Sequence, residues 1–563
     1  MNKFSISSIF SDNCVLQRNK IINIFGYVDS NCEIVTTLYN NQHKILSKNT
    51  KTICTESEIK WIISLEPQSE QEGCSLKIDC RFSDTINSKA TIFENVSIGE
   101  VWIAGGQSNM EFELQNCTEG PKELKSKNGG KHIRFYYTPK NAWFNDKYYE
   151  DEKNSCWKTW DGESAKNWSA IGYLFAKKLA ADIKCTVGVI GCNWGGTSAS
   201  AWMNEKYLSV DKDLESYLKD QEEAVKGKSI EQQCKEYDDY EVEFAKWNAE
   251  FSKLWEKDHN ISWETAEKTL GKNPWPGPKS CKNPYRPCGL YKTMLSRITP
   301  YSTKGVLWYQ GESDDHKPNI YAKLFATMIK NWRDDFDDSS LPFIFVQLPN
   351  HRYLMDKDFK HWCLIREAQQ QVYESVKNTW IVIALDKGQF NDIHPKSKAD
   401  VATRMEQIAV SEVYGKKSKR SSLSPMYENA LILEDKIIVS FSNADKGFIL
   451  KKDEETLKNY IELEKIQGKD LPEGFTGFEI AGEDKVYHPA KFLFGKDNKA
   501  NTIILSSDLV QQPRYARYAW YNYGPVTVYG KSGLPLAPFR TSTKDGEEAT
   551  EHAAIQQIMT VAN

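Results

Sequence analysis

The chain has 563 residues, more than one hydrophobic core normally serves, so two or three domains are expected. Its formal net charge of −4 at pH 7 argues against the clustered positive charge that nucleic acids and anionic membrane surfaces require, and we expect neither as a partner. No segment approaches the run of about 18 apolar residues that a membrane-spanning helix needs.

The thirteen cysteines form no CxxC pair and no spacing typical of a zinc site. An odd number of scattered cysteines is typical of free thiols in a reducing compartment. The opening segment, MNKFSISSIFSDNCVLQRN, lacks the apolar run of a signal peptide. We therefore expect a cytoplasmic protein without metal or cofactor, or a secreted one if a leader has been removed.

Residues 1–95 consist of short segments rich in β-branched residues and separated by turn residues. These segments are IINIFGYV, CEIVTTLYN, WIISLEP and CSLKIDCRF. Because no helical periodicity interrupts them, they predict an N-terminal β-sandwich-like domain.

Residues 96–418 show another pattern, in which continuous apolar segments alternate with amphipathic ones. The predicted strands are VSIGEVWIAGG, TVGVIGCNW, TKGVLWYQG, FIFVQLP and WIVIALD. The predicted helices are one that begins after Ser169 as its N-cap, and those in NIYAKLFATMIKNW, HWCLIREAQQQVYESV and KSKADVATRMEQIAVSEVYG. This alternation is typical of an α/β domain whose parallel sheet is covered by helices on both faces.

Two further regions complete the chain. Residues 205–285 are highly charged and dotted with tryptophan, and they predict an insertion of one or two surface helices that ends in a proline-rich loop. Residues 419–545 return to strand-like segments and predict a C-terminal β domain.

Ser108 follows the first predicted strand of the α/β domain, in the sequence GGQSNM. Functional residues of such domains gather at the carboxyl ends of the strands, where helix N-termini offer free N–H groups. A serine there is placed to act as a nucleophile. The alternative is a serine that only caps the following helix.

Other strand ends carry residues with complementary chemistry. Gly195 and Gly196 follow the second strand and allow backbone N–H groups to approach a ligand closely. Gln310 follows the third strand and offers an amide donor, while Asp392 and His394 follow the last strand and offer an orienting carboxylate and a base. A nucleophile, a base, an orienter and several donors in one crevice are the groups that acyl transfer needs.

Four segments together resemble the SGNH (GDSL-like) hydrolases, in particular the sialate O-acetylesterase and carbohydrate acetylesterase branch. They are GQSNM, GGT with the AW after it, WYQGES and DIHP. The segments IFSDNCVLQRN, YRPCGLYKTM and RYAWYNYGPVTVYGKSGLPLAPFRT resemble the same branch, so the similarity covers nearly everything except the charged insertion. The resemblance implies a flavodoxin-like, three-layer SGNH domain with β-sandwich-like modules on either side.

The resemblance also implies metal-free hydrolysis of O-acetyl groups on sugars. Ser108 would be the nucleophile, His394 the general base and Asp392 its orienting acid. The oxyanion hole would use the Ser108 N–H, an N–H of Gly195 or Gly196, and the Gln310 side chain.

Several assignments stay open at this point. Because Asp392 and His394 are only two residues apart, Glu312 or a backbone carbonyl is an alternative partner for the imidazole. Asn109 and Trp194 are candidates to shape the acyl pocket, and Trp308 is a candidate to receive the sugar.

The expected partner is an O-acetylated carbohydrate. An acetylated sialic acid is the first candidate, and acetylated xylan or another plant glycan is the alternative. An inactive carbohydrate-binding protein and a lipase or thioesterase are more remote alternatives. The sequence leaves open which hydroxyl is deacetylated, what the insertion does and whether the protein forms a homo-oligomer.

Overall fold

The computed structural model describes residues 3–83, 88–258, 261, 263–353, 358–416, 421–466, 471–472 and 474–545. It is a mixed α/β structure with a large central sheet and several smaller antiparallel sheets. No helix within these ranges is both long enough and apolar enough to span a membrane.

Two antiparallel sheets form the N-terminal part. One contains Phe4–Ile6, Ile22–Val28 and Ile59–Leu65, and the other continues into the central sheet through Cys32–Tyr39, Ile45–Ile53 and Gln71–Phe82. The sequence did not predict the strand Ile45–Ile53, because most of its residues are polar and exposed at the sheet edge.

The strand Ser88–Gly106 connects the N-terminal part to the central sheet. It pairs antiparallel with Gln71–Phe82 and then parallel with Val187–Asn193 and Gly305–Tyr309. The domain boundary predicted at residue 95 therefore falls inside one strand. The sequence of a strand does not show at which residue its pairing passes from the strands of one sheet to those of another. The boundary at 418/419 lies outside the described residues.

The central sheet has a mainly parallel path. In spatial order its strands are Lys158–Thr159, Ile133–Tyr137, Val187–Asn193, Ser88–Gly106, Gly305–Tyr309, Phe343–Gln347 and Thr379–Ile383. Only the short Lys158–Thr159 strand on this path is antiparallel to its neighbour. The five strands predicted from the sequence are all present, and Ile133–Tyr137 is an additional strand between Val187–Asn193 and the edge strand Lys158–Thr159.

Long helices pack beside this sheet in two pairs. Ala170–Ile183 contacts Ala399–Ile408, and Pro318–Asp335 contacts His361–Ser375. Ser169 caps the first of these helices as expected, because its hydroxyl accepts the Gly172 N–H at 3.0 Å. Shorter helices are Ser108–Glu111, Gly120–Leu124, Asp146–Asn154 and Ser296–Ile298.

The described residues of the region 205–285 form four helices, more than the one or two expected. They are Glu205–Leu208, Lys212–Val225, Ile230–Lys257 and Trp263–Leu270. The 28-residue helix Ile230–Lys257 buries few side chains, Tyr237 and Trp247 among them.

The C-terminal region forms small antiparallel sheets and one helix. Its strands are Met426–Leu433, Lys436–Ser442, Phe448–Leu450, Phe478–Ala481, His488–Pro489, Lys491–Phe494, Thr502–Ser506, Tyr515–Tyr518, Val528–Gly530 and Phe539–Arg540. The helix Glu454–Ile466 was not predicted from the sequence.

Gly106 ends the strand that leads to Ser108, and its backbone requires glycine. Its φ is +131°, and a Cβ there would lie 2.1 Å from the Tyr309 carbonyl oxygen. The residue lies opposite both Asn193 and Tyr309, so the neighbouring backbones leave no room for a side chain.

Gly106→Ala should destabilise the protein by about 3 kcal/mol or more, because it combines an unfavourable φ with a backbone clash. Chemical denaturation measures this difference. Gly533→Ala is the control, since Gly533 has a φ of +90° but no atom within 4 Å of the added Cβ. Equal losses for the two variants would contradict the close-approach argument.

Candidate active site

Ser108 is the first residue of the short helix Ser108–Glu111, and Gln107 is the N-cap residue. The Ser108 hydroxyl therefore does not cap this helix. It lies instead 2.8 Å from Nε2 of His394, which is 286 residues away in the chain. The structure thus joins the two residues that the sequence selected as nucleophile and base.

The loop that carries His394 is held from two directions. Asn109 donates to the Ile393 carbonyl at 3.0 Å, which ties the loop to the residue after Ser108. Glu119 accepts backbone N–H groups of Lys398 and Ala399 at 3.2 and 3.3 Å, which ties the loop end to the segment after the Ser108 helix. The position of the imidazole is therefore set by contacts to the same region of the chain that carries the serine.

The C-terminal region supports the other side of this loop. Asn522 accepts the His351 N–H at 3.0 Å, and Arg352 accepts the Asn391 N–H at 3.1 Å. The rings of Phe390 and Tyr523 lie 5.3 Å apart. The segment RYAWYNYG, which contributed to the family resemblance, therefore contacts the segment before His394.

Asp392 lies beside His394 but contacts its backbone. Asp392 Oδ1 accepts the His394 N–H at 2.8 Å. Within the described ranges, no hydrogen bond joins this carboxylate to the imidazole. The two-residue spacing explains the difference from the expected arrangement, because it favours an Asx turn in which the carboxylate reaches the nearby N–H.

Asn109 lies in a buried polar network next to Ser108. Its amide donates to Glu312 Oε1 at 2.8 Å, and its oxygen accepts from Lys398 Nζ at 2.7 Å. Glu312 is also buried, and its Oε2 has no hydrogen-bond partner among the described residues. Asn109 is 1% exposed and uses its side chain in these contacts, and Glu312 accepts from Asn109 and forms no hydrogen bond to the His394 ring among the described residues.

Burial and charge shift the pKa values of this network. Burial raises the pKa of Glu312 and lowers that of Lys398 to about 8. The pKa of His394 is lowered, first by burial and then by the nearby Lys398 charge, while Asp392 and Glu111 act in the opposite direction. A lowered pKa keeps the imidazole neutral at pH 7, the state in which it can accept a proton from Ser108.

Gly195 lies against the serine, as expected. A Cβ on Gly195 would be 3.2 Å from Ser108 Cβ and 3.2 Å from Glu111 Oε2. The Gly195 N–H donates to this Glu111 carboxylate, which also forms an ion pair with Lys140. The N–H groups of Ser108 and Gly196 have no acceptor among the described residues.

The Gln310 side chain does not have the role expected from the sequence. It is fully buried, and its amide nitrogen donates to Asp314 Oδ2 at 2.6 Å and to the Thr197 carbonyl at 3.2 Å. Its oxygen accepts from the Tyr321 hydroxyl at 2.9 Å. Both amide hydrogens are thus used in the core, because the buried Asp314 carboxylate requires donors.

The two tryptophans proposed from the sequence differ in position. Trp308 is 1% exposed and packs between Phe325 and Trp332, so its assignment as a sugar contact is wrong and it belongs to the core. Trp194 is half-buried, directly before Gly195, and remains a candidate for the pocket wall.

Glu111 and Lys398 were missed by the sequence analysis. Glu111 is three residues after Ser108, and Lys398 is four residues after His394. The spacing of three places Ser108 and Glu111 on the same face of a helical turn, which is the signal that could have identified Glu111. For Lys398 no such signal existed, because its neighbours come from distant segments.

Comparisons with known proteins agree with the motifs. Residues 277–408 match the family model described as carbohydrate esterase, sialic acid-specific acetylesterase. The sialate O-acetylesterase of Rattus norvegicus is 22% identical over 574 residues, covering 95% of this chain and 94% of the relative. That of Mus musculus is 23% identical over 441 residues, covering 74% of each.

A solved structure, that of a carbohydrate acetylesterase from Xanthomonas citri, has a similar fold. It superposes with a TM-score of 0.68 at 23% identity, covering 96% of this chain and 100% of the other. The resemblance seen in the sequence motifs is therefore confirmed, and the similarity to sialate O-acetylesterases supports an esterase.

Lys398→Met should move the acid limb of the kcat/KM profile to higher pH. Since the Lys398 charge lowers the pKa of His394, its removal raises that pKa and leaves more imidazole protonated at a given acidic pH. Glu111→Gln should move the limb to lower pH, because Glu111 acts in the opposite sense. Steady-state hydrolysis of 4-nitrophenyl acetate across pH measures both shifts.

The exposed Lys396 provides the control for this experiment, and Lys396→Met should leave the limb unchanged. Shifts of the same sign for Lys398→Met and Glu111→Gln would contradict the electrostatic assignment.

Asn109→Ala should lower the free energy of unfolding by about 2 kcal/mol, because it leaves Glu312 and Lys398 buried without their shared partner. Urea denaturation measures the loss. Asn167→Ala removes an exposed asparagine and should change stability by less than about 0.5 kcal/mol. An Asn109 variant as stable as the Asn167 variant would show that the network does not join the loops.

Proposed function

We propose that this protein is a carbohydrate O-acetylesterase of the sialate O-acetylesterase type, which removes acetyl groups from sugar hydroxyls with Ser108 as nucleophile and His394 as general base. The observation that carries the proposal is the 2.8 Å contact between Ser108 Oγ and His394 Nε2. A serine and an imidazole at this distance are the minimum apparatus of covalent acyl transfer. The similarity to sialate O-acetylesterases selects the acetyl ester as substrate.

The reaction proceeds in two steps. Ser108 Oγ attacks the acetyl carbonyl carbon while His394 Nε2 takes the hydroxyl proton, and the tetrahedral anion then expels the sugar alkoxide, which receives that proton from His394. His394 then takes a proton from a water molecule, whose oxygen attacks the acetyl-serine carbonyl carbon. The second tetrahedral anion breaks its bond to Ser108 Oγ and releases acetate, and His394 returns the proton to Ser108 Oγ. The neutral imidazole required at the start agrees with the lowered pKa of His394.

Backbone N–H groups stabilise the tetrahedral anion. The Ser108 and Gly196 N–H groups are available for this role, each contributing on the order of 3 kcal/mol. The Gly195 N–H becomes a third donor when the Glu111 carboxylate turns away from it. Gln310 is left out of this proposal, because its amide is used in the core.

His394 is oriented by its loop. Asp392 holds the imidazole indirectly, through the turn that it forms with the His394 backbone. Asn109 holds the same loop through the Ile393 carbonyl. In this proposal Asp392 is a positioning residue that fixes the loop, and its charge supports the imidazolium that forms during the reaction.

The strand order supports the flavodoxin-like SGNH fold. Numbered along the chain, the five predicted strands have the spatial order 2-1-3-4-5, which is the order in flavodoxin-like sheets. Ser108 follows strand 1, which lies beside strand 3 at the switch point of this order, where such folds place their ligands. An inactive carbohydrate-binding protein is disfavoured, because such a protein has no need to keep a serine and an imidazole in contact.

Ser108→Ala should reduce acetate release by at least about 10³-fold without a change in the unfolding midpoint, because His394 is the only hydrogen-bond partner of the hydroxyl within the described part of the chain. Acetate release from O-acetylated sialic acids, acetylated xylo-oligosaccharides and a long-chain 4-nitrophenyl ester measures both activity and preference. The wild-type protein should prefer an acetylated sialic acid. Preference for xylo-oligosaccharides would select the plant-glycan alternative, and preference for the long-chain ester would contradict the proposal.

A further inference from the structure

Two aromatic residues from the end of the insertion lie against the glycine pair beside the serine. A Cβ on Gly196 would lie 3.0 Å from Tyr285 Cε1 and 3.2 Å from Trp275 Cζ2. The adjacent Gly195 is the residue whose Cβ would contact Ser108. The aromatic pair is therefore separated from the nucleophile by a single turn of backbone.

Trp275 and Tyr285 are joined to each other and partly open to solvent. The Trp275 indole N–H donates to the Tyr285 hydroxyl at 2.8 Å, and the rings meet edge-to-face with centroids 5.9 Å apart. Trp275 is 37% exposed, and Tyr285 is half-buried. Within the described part of the chain the Tyr285 hydroxyl hydrogen has no acceptor, so it remains available to a ligand.

The segment 271–286, called the platform loop below, holds both rings with short backbone turns. Asn273 Oδ1 accepts the Trp275 N–H at 2.7 Å, and Asn283 Oδ1 accepts the Tyr285 N–H at 2.7 Å. Asn283 also donates to the Pro278 carbonyl at 2.9 Å. Each aromatic residue therefore follows an Asx turn, which presets its backbone.

The long helix Ile230–Lys257 anchors the platform loop from the outside. Gln233 accepts the Cys281 N–H at 3.0 Å through its side chain and the Ser280 hydroxyl at 2.9 Å through its backbone. The Tyr240 ring lies against Gly277, whose added Cβ would be 2.5 Å from it. The long helix of the charged insertion thus holds the loop that carries Trp275 and Tyr285.

The C-terminal end of the platform loop is also held in place. Arg286 donates to the Ala142 carbonyl at 2.8 Å and to the Cys281 carbonyl at 2.6 Å, which fixes the end of the platform loop to the α/β domain. A loop held at both sides keeps its aromatic rings in place before a ligand arrives, which lowers the entropy lost on binding.

We propose that Trp275 and Tyr285 form the platform that binds the sugar ring of the substrate while its acetyl group enters the Ser108 site. The apolar face of a pyranose packs on an aromatic ring, and the Tyr285 hydroxyl donates to a sugar oxygen. The proposal rests on the carbohydrate esterase function proposed above and assigns the insertion a role in substrate recognition. Trp275 packs against Gly196 and Tyr285 and is still 37% exposed, so part of its ring is open to a ligand beside the glycine pair that flanks Ser108.

Trp275→Ala should lower kcat/KM about 10-fold or more for the acetylated sugar that the wild type hydrolyses fastest, mainly through a higher KM. Ethyl acetate, which has no ring to pack on the platform, should be hydrolysed within about twofold of wild type. Trp275→Phe keeps an aromatic face and should recover most of the loss. The readout is the ratio of the two kcat/KM values, which a general loss of folding would not change.

Trp255→Ala is the matched control. Trp255 is an exposed tryptophan near the end of the helix Ile230–Lys257, well beyond the residues of that helix that hold the platform loop. It should leave both substrates unchanged. Equal losses on sugar and ethyl acetate for Trp275→Ala, or no loss on either, would overturn the platform. A wild-type protein that hydrolyses ethyl acetate but no acetylated sugar would overturn the proposed function instead.

Discussion

The candidate site depends on the register of three parallel strands. Gly106 lies opposite Asn193 on one side and Tyr309 on the other, so three chain segments leave the sheet at the same level. Because Gly106 has no side chain, these backbones approach closely enough for Ser108 to lie against Gly195. Parallel strands in register thus bring together residues that the sequence separates widely.

A network of buried polar side chains around Asn109 fixes the positions of these segments relative to one another. Asn109 bonds Glu312, Lys398 and the Ile393 carbonyl, and so joins the serine turn, the third strand end and the histidine loop. Such a network is stable only when its members satisfy one another, so the loss of one member affects all three segments. The same Lys398 charge lowers the pKa of His394, which couples the support of the loop to the chemistry of the base.

The insertion and the C-terminal region contact different segments around this centre. The C-terminal region packs against the segment before His394, whereas the insertion carries the platform loop toward Gly196. Catalytic geometry and proposed sugar binding are therefore supported by different parts of the chain.

The sequence alone determined the elements whose pattern is local. The apolar strands of the α/β domain, the helix capped by Ser169 and the pairing of Ser108 with His394 followed from periodicity and from residues at strand ends. The local sequence pattern did not predict two elements whose formation depends on contacts with other segments. These are the polar edge strand Ile45–Ile53 and the helix Glu454–Ile466.

Only the tertiary structure decided which polar groups face one another. It placed Gln310 and Trp308 in the core and brought Glu111, Lys398 and the platform loop to the serine. The reason is physical: a hydrogen bond or an aromatic contact depends on positions in space, and these are set by the packing of segments that lie hundreds of residues apart.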